Sequence, residues 1–290
     1  MKPDFKTIAL VGKYNSPSSA SSLSRLAHYL KAKHYTVLLT CHIAETCAIA
    51  GFQTRALSGI GQEADLAIVM GGDGTFLSIA RALVDSRIPL VGINLGRLGF
   101  LTDVSLDTMF STLDEMLGGE FVTEERVMLE ASVERTGEVL IHAHAFNDVV
   151  VNKGSQGRLI EFEIYIDDQF VYSQRADGLV VSSPTGSTAY ALSAGGPILH
   201  PSLEAVVLVP ICPHTLSARP IAVNSHSEIE INVIHADDAR VHFDGQLHAD
   251  LQVGDRVVIR RAHNSVRLLH PVGHSYYDTL RQKLRWGEKL

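Results

Sequence analysis

Near Glu124 the chain changes texture, and that change limits the folds open to it. Before it, short apolar runs alternate with helix-like segments. Thr7 to Gly12, Tyr35 to Thr40, Leu66 to Met70 and Pro89 to Asn94 read as buried strands. A Ser-rich stretch, Ser16 to Ser24, offers N-caps for a helix through Leu30, and Leu77 to Asp85 reads as a short helical segment. Strands alternating with helices predict a mostly parallel sheet covered on both faces. After Glu124 the segments are longer and β-rich: Val127 to Glu134, Val139 to Val151, Leu159 to Tyr172, Leu179 to Ser183, Ala205 to Ile211, Glu228 to Ile234, Arg240 to Phe243 and Arg256 to Arg261. Turn signals such as Asp167-Asp168 and Val253-Gly254-Asp255 separate them. Many strands without intervening helices predict an antiparallel, sandwich-like second domain. One helix is expected within it, Thr188 to Ala194, and another at the end, Tyr276 to Trp286.

The expected division is therefore an α/β domain over residues 1–123 and a β-rich domain over 124–275, with the 276–290 helix free to pack back on the first. No linker separates the halves, so a cleft between them is the default site. The composition adds exclusions. With 32 acidic against 25 basic residues, the net charge of −7 suits no general nucleic-acid binder. No apolar run reaches the ~20 residues that span a bilayer. Three cysteines, Cys41, Cys47 and Cys212, make no disulfide framework. A cytoplasmic enzyme or binding protein without membrane or nucleic-acid partners is the expectation.

The sharpest local signal is Gly71-Gly72-Asp73-Gly74-Thr75, between an apolar strand and a helix. In a parallel sheet this is the carboxyl edge, where ligands bind. Glycines permit positive φ and close backbone approach, and the helix start favours phosphate. Asp73 then reads as a proton acceptor or as a metal neighbour. The competing reading is a tight turn capped by Asp. Three glycines around one Asp favour function.

Ser182, Ser183, Thr185, Ser187 and Thr188 crowd between a strand and a helix and suggest a second oxygen-binding corner. Asn147-Asp148 interrupts an apolar strand, which implies either a cleft or a bulge. Arg175-Ala176-Asp177-Gly178 reads as a turn or as a charged lip of the same cleft. Asp244-Gly245-Gln246 reads as a hairpin turn. Other signals are weak. In Gly92 to Gly99, Asn94 replaces the second glycine of a dinucleotide fingerprint. His142 and His144 share a strand face without a third ligand, and Cys41-His42 with Cys47 fits no zinc spacing. There is no Walker A motif.

Together with Gly92-Ile93-Asn94 and Gly96 to Thr102 (GRLGFLT), two longer blocks carry a resemblance: Asp177 to Ile198 (DGLVVSSPTGSTAYALSAGGPI) and Pro213 to Pro220 (PHTLSARP). In block order and spacing the chain resembles the bacterial NAD kinases over nearly its full length. That resemblance implies transfer of the γ-phosphoryl group of ATP, with a divalent metal (Mg2+ or Mn2+), to the 2′-hydroxyl of the adenosine ribose of NAD. It places the catalytic aspartate at Asp73, flanked by Gly72 and Gly74, and an Asn-acidic pair at Asn147 and Asp148. It puts the dinucleotide site at Thr188, Ala189, Tyr190 and Ser193, beside Asp177, with Arg158, Arg175 and Gln246 as further contacts. The family commonly has Glu where this chain has Asp148, one methylene shorter. Oxidised NAD is the implied substrate of this branch, with Arg175 contributing, and a homotetramer or homodimer built through the β-rich half is the implied assembly. Two alternatives stand beside this reading: a lipid kinase of the diacylglycerol type sharing the Gly-Gly-Asp-Gly core, and a dinucleotide sensor without catalysis.

Overall fold

The computed structural model describes residues 5–12, 17–96, 98–154 and 158–286. Ser16 of the expected cap region and Arg97 of the Gly96 to Thr102 motif lie outside them. Two compact units divide the chain, residues 1–125 with 266–290, and residues 126–265.

The first unit begins with β1 (Thr7–Gly12), α1 (Pro17–Ala32), β2 (Thr36–Thr40), α2 (Cys41–Thr46) and β3 (Gln53–Arg55). It continues with α3 (Leu57–Glu63), β4 (Leu66–Met70), α4 (Asp73–Leu83), β5 (Leu90–Asn94), β6 (Val104–Ser105), α5 (Met109–Leu117) and β7 (Phe121–Arg126). Leu23, Leu26, Ala27 and Leu30 recur at helical spacing on α1, and this stripe is fully buried against strand residues such as Ile8, Leu10 and Ile68. Every residue of β4 and β5 is buried, so neither strand shows alternation and both read as continuous apolar runs.

The second unit holds β8 (Leu129–Arg135), β9 (Glu138–Ala145), β10 (Asp148–Lys153), β11 (Ile160–Ile166), β12 (Gln169–Ala176) and β13 (Gly178–Ser182). A 3-10 turn (Thr185–Thr188) and the short α6 (Tyr190–Ser193) precede β14 (Ala205–Ile211), β15 (Ile221–Asn224), β16 (Ile229–His235), β17 (Ala239–Phe243), β18 (Leu247–Leu251) and β19 (Arg256–Arg261). They form two six-stranded sheets, β12-β11-β16-β19-β8-β9 and β15-β14-β13-β10-β17-β18. One core joins their inner faces through Phe162, Ile231 and Ile259 from one sheet and Val149, Val181 and Phe243 from the other. This is the sandwich the alternating pattern predicts. The outer face of the second sheet is also covered, with Val150, Val180 and Val209 packed under Ala191 and Leu199.

The chain then returns to the first unit as β20 (Val266–Pro271) and α7 (Tyr276–Leu284). The first sheet runs β3-β2-β1-β4-β5-β20-β7, with β6 beside β5 and its β1–β5 pairs parallel. Residues 266–271, grouped by sequence order with the β-rich half, thus pair with β5 instead. A local pattern marks a strand but not its distant partner. Ser275 caps α7 by accepting the Asp278 N–H.

Candidate active site

In the first unit, α4 starts at Asp73 itself, four residues earlier than its apolar pattern suggests, with Gly72 as N-cap. The Asp73 side chain turns back onto the segment after β5. Its Oδ2 accepts the Phe100 N–H and its Oδ1 accepts the Leu101 N–H, each at 3.0 Å. Each oxygen keeps a lone pair beyond these bonds. The positive φ expected of the glycines is absent. Gly71, Gly72 and Gly74 all lie outside the positive-φ region. A Cβ on Gly71 would meet the Thr75 side chain at 2.8 Å, whereas one on Gly72 would meet nothing within 4 Å. Gly72 is therefore open surface beside the carboxylate. Gly99 closes the other side, since its Cβ would lie 2.2 Å from Asp73 Oδ1. Asn94 is buried and donates to the Thr102 and Val104 carbonyls at 3.3 and 3.1 Å, so it holds this segment and takes no part in a dinucleotide fingerprint.

In the second unit, Asn147-Asp148 is neither a bulge nor mid-strand: Phe146 and Asn147 separate β9 from β10, and Asp148 is the first residue of β10. The backbone here is fixed by side chains. Asp244, at φ +51° in the hairpin turn between β17 and β18, accepts the N–H groups of Phe146, Asn147 and Asp148 at 3.0, 2.7 and 3.2 Å. Ser183 donates to Phe146 O at 2.6 Å and Ser182 to Asn147 O at 3.2 Å. Gly186 packs so closely that its Cβ would lie 2.2 Å from Asn147 O. Ser187 donates to Pro184 O and accepts the Leu199 N–H at 2.9 Å.

Four of the five hydroxyls, those of Ser182, Ser183, Ser187 and Thr188, thus bond the backbone as scaffold, and Thr188 alone is half-buried. Ser182, Ser183, Thr185 and Ser187 are all buried, and the expected helix from Thr188 reduces to Tyr190–Ser193 after an irregular Ala189 (φ −102°, ψ −123°). Thr188 bonds back to Thr185 O at 3.3 Å.

Asn147, Asp148, Ala189 and Tyr190 line one cavity of about 300 Å³ with Val150, Asn152, His242, Asp244 and Gly245. Asp148 is only 5 % exposed, and no described residue donates to its carboxylate. Burial, with the Asp244 charge beside it, pushes its carboxyl up to about 7. Burial, His248 across the hairpin and Arg240 hold His242 below the usual imidazole range. Burial, with Cys212, Asp148 and Asp177 nearby, raises the Tyr190 hydroxyl. The cavity therefore presents a carboxyl raised to about 7 and an imidazole biased toward its neutral form, a set that both donates and accepts hydrogen bonds.

The other expected residues disperse. Asp177 pairs with Lys153 at 2.8 Å. Ser193 is exposed. Arg158 is exposed and pairs with Asp237 at 3.1 Å. Gln246 is exposed in the turn next to Gly245. Arg175 lines a separate cavity of about 470 Å³ with His214 and Arg219. There, Gln174 Oε1 and Tyr172 Oη are buried without hydrogen-bond partners. Two residues of the first cavity escape a sequence reading, His242 and Asp244. The Asp-Gly pair signals a turn, and nothing local says that its carboxylate reaches back almost a hundred residues.

Family models match both halves of the chain. Residues 8–121 match the ATP-NAD kinase N-terminal domain and residues 146–271 the ATP-NAD kinase C-terminal domain. The NAD kinase of Thiobacillus denitrificans is 59 % identical over 290 residues, covering all of both chains. Among solved structures, yeast NADH kinase complexed with NADH superposes with a TM-score of 0.91 at 25 % identity, covering 98 % of this chain and 89 % of that one. An NAD kinase from Archaeoglobus fulgidus in complex with ATP gives 0.76 at 26 % identity, covering 96 % and 98 %. With both domain models matched and a full-length relative at this identity, the chain belongs to the ATP-NAD kinase family.

Proposed function

We propose that this chain transfers the γ-phosphoryl group of ATP to the 2′-hydroxyl of the adenosine ribose of NAD, yielding NADP and ADP. The observation that carries this is the full-length likeness to NAD kinases around an intact Asp73 turn. Relatives matched over nearly the whole chain are named NAD kinase, which favours this reading over a lipid kinase.

Phosphoryl transfer passes through a loose transition state, so the protein's task is positioning and charge neutralisation. Asp73 holds the ribose hydroxyl in line with the phosphorus through a free carboxylate lone pair. It accepts the hydroxyl proton as the oxygen–phosphorus bond forms. Its two N–H partners fix the carboxylate plane, so no reorientation is needed during the reaction. Gly72 and Gly74 leave the start of α4 exposed, and the positive end of the helix faces the phosphates there. In the second unit, Asn147, Asp148, Ala189 and Tyr190 receive part of the dinucleotide, with Thr188, Ser193, Asp177, Arg158 and Gln246 around it. Arg175 acts from the second cavity.

A divalent cation belongs to this reading, and the residues fit one. The side-chain donor at the turn is a single carboxylate with lone pairs to spare. That suits Mg2+ or Mn2+, which take most ligands from water and substrate phosphates. Asp73 would hold it, and when bound it supplies neutralisation of the triphosphate charge.

We assign the protein to the cytoplasm as a homodimer or homotetramer joined through the β-rich half. No described helix is long and apolar enough to cross a membrane, and the three cysteines are unpaired. Val139, Leu140, Phe170 and Val171 are exposed on β9 and β12, the edge strands of one sheet, which suits burial by a second copy.

The test is NADP formation from purified protein, NAD, ATP and Mg2+, read by an NADP-specific dehydrogenase. Steady turnover supports the reading. NAD binding without turnover would leave a sensor.

A further inference from the structure

Asp103, Glu124, His270 and His274 meet at the end of the segment that holds Asp73. His270, on β20, is 3 % exposed. Its Nδ1 lies 2.9 Å from Asp103 Oδ2 and its Nε2 lies 3.0 Å from Glu124 Oε2. Both partners are carboxyl groups; with both ionised, each ring nitrogen donates and the ring is an imidazolium. His274 Nδ1 lies 3.0 Å from the same Asp103 oxygen. The two rings stack with centroids 4.1 Å apart and planes 12° from parallel.

A metal ion is the other reading of three of these side chains, Asp103, His270 and His274. Near-parallel rings point their in-plane lone pairs side by side, not at one point ~2.1 Å from each nitrogen. The group is a hydrogen-bonded charge cluster.

The segment between this cluster and Asp73 is short and closely held. Phe100 and Leu101 donate their N–H groups to Asp73, and Asp103 follows two residues later. Lys283 on α7 donates to Leu98 O at 2.9 Å. Gly92 has no room for a Cβ, which would lie 2.2 Å from Leu101 O. Residues 98–103 thus have Asp73 at their middle and Asp103 as their anchor.

We propose that Asp103, clamped by the stacked His270–His274 pair, is a positioning residue for Asp73, holding the segment whose N–H groups orient the Asp73 carboxylate. This rests on the reading of Asp73 as the catalytic base. The clamp works while His270 keeps both protons. The groups that face it are Asp103 from the segment before β6, Glu124 from β7 and His274 from the turn before α7. Arg267 and Glu125, on the same two strands, pair with each other at 2.8 Å. The two carboxylates raise His270 above its ordinary range against the opposing effect of burial. Hydrogen bonds from the two histidines outweigh burial at Asp103 and hold it near 2. As pH rises through the His270 value, one ring nitrogen turns a lone pair toward a carboxylate, the clamp opens and turnover falls.

The test combines kinetics with nitrogen-15 NMR of the full chain. Wild-type NADP formation first tests the reading of the reaction itself, and wild-type silence would overturn that reading. Given activity, Asp103→Asn should lower kcat roughly 10- to 100-fold, the scale of a small misplacement, with KM for NAD and ATP within about threefold. The wild type should show an alkaline fall of kcat, and His270→Gln should remove it. The His270 resonances should show both nitrogens protonated at pH 7, whatever the activity. A folded Asp103→Asn enzyme with wild-type kcat would overturn the proposal, as would a His270 ring that is neutral at pH 7. Should Asp103→Asn fail to fold, the His270 resonances and the wild-type alkaline limb decide in the same two directions.

Discussion

Two carboxylates, one in each unit, are treated in opposite ways. Asp73 is satisfied by two backbone N–H groups and sits beside open glycine surface. Asp148 is buried, receives no hydrogen bond from a described residue and lies next to a second acid, Asp244. The first arrangement fixes a group whose geometry must not change during a reaction. The second leaves a buried group without a hydrogen-bond donor, which on the proposed reading the dinucleotide supplies. Asp73 suits chemistry and Asp148 suits binding.

The largest effect should come from Asp73→Asn. On the proposed role of Asp73 as general base, its loss should lower kcat about 10²–10⁴-fold, with NAD affinity measured by calorimetry little changed. A loss of affinity of the same size would erase the contrast between the two acids.

Next is Asp244→Ala. It strips three N–H groups of their acceptor at the backbone that presents Asn147 and Asp148. Denaturant unfolding should show a loss of about 2–3 kcal/mol, and KM for NAD should rise while kcat falls less. Unchanged stability and KM would mean that the cavity does not depend on this clamp.

The third concerns pH. Asp148 is raised from the ordinary carboxylate value to about 7, so the folded state holds a proton that the unfolded state has released. Its effect on stability is therefore unfavourable, growing as pH rises from about 4 to about 7 and constant above. Asp148→Asn should remove that slope and gain up to a few kcal/mol at pH 8. A ligand that donates to the carboxylate favours its charged form. NAD binding near pH 6.5 should then release protons, seen by calorimetry as a dependence on buffer ionisation enthalpy. Proton uptake, or none, would count against Asp148 as an acceptor for the ligand.

The smallest effect is expected from Ser187→Ala. It leaves the Leu199 N–H without its partner and should lower stability by about 1–3 kcal/mol with kcat unchanged. A fall in kcat alone would return the hydroxyl cluster to the chemistry.

What the chain reveals in advance follows the range of the interactions. Thr7–Gly12 and Leu66–Met70 are legible because a buried parallel strand is a continuous apolar run bounded by polar residues. Asp73 is legible because glycine on both sides of a carboxylate after such a run has few structural uses. The start of α4 is less legible, since the glycines that open the helix are the residues that usually end one. Long-range groups are not legible at all. Asp244 beneath Asn147, β20 beside β5, and His270 between Asp103 and Glu124 join positions about a hundred or more residues apart, and no local period encodes them. Nor does a run of hydroxyls say whether they face a ligand or the backbone.

The most direct test of the account is kcat and KM for NAD, determined side by side for wild type, Asp73→Asn and Asp148→Asn in the NADP-forming assay. The account predicts a crossed pattern, with kcat collapsing in Asp73→Asn and KM shifting chiefly in Asp148→Asn. If Asp73→Asn turned over at the wild-type rate, or both variants failed in the same parameter, the division of labour between the two carboxylates would be contradicted.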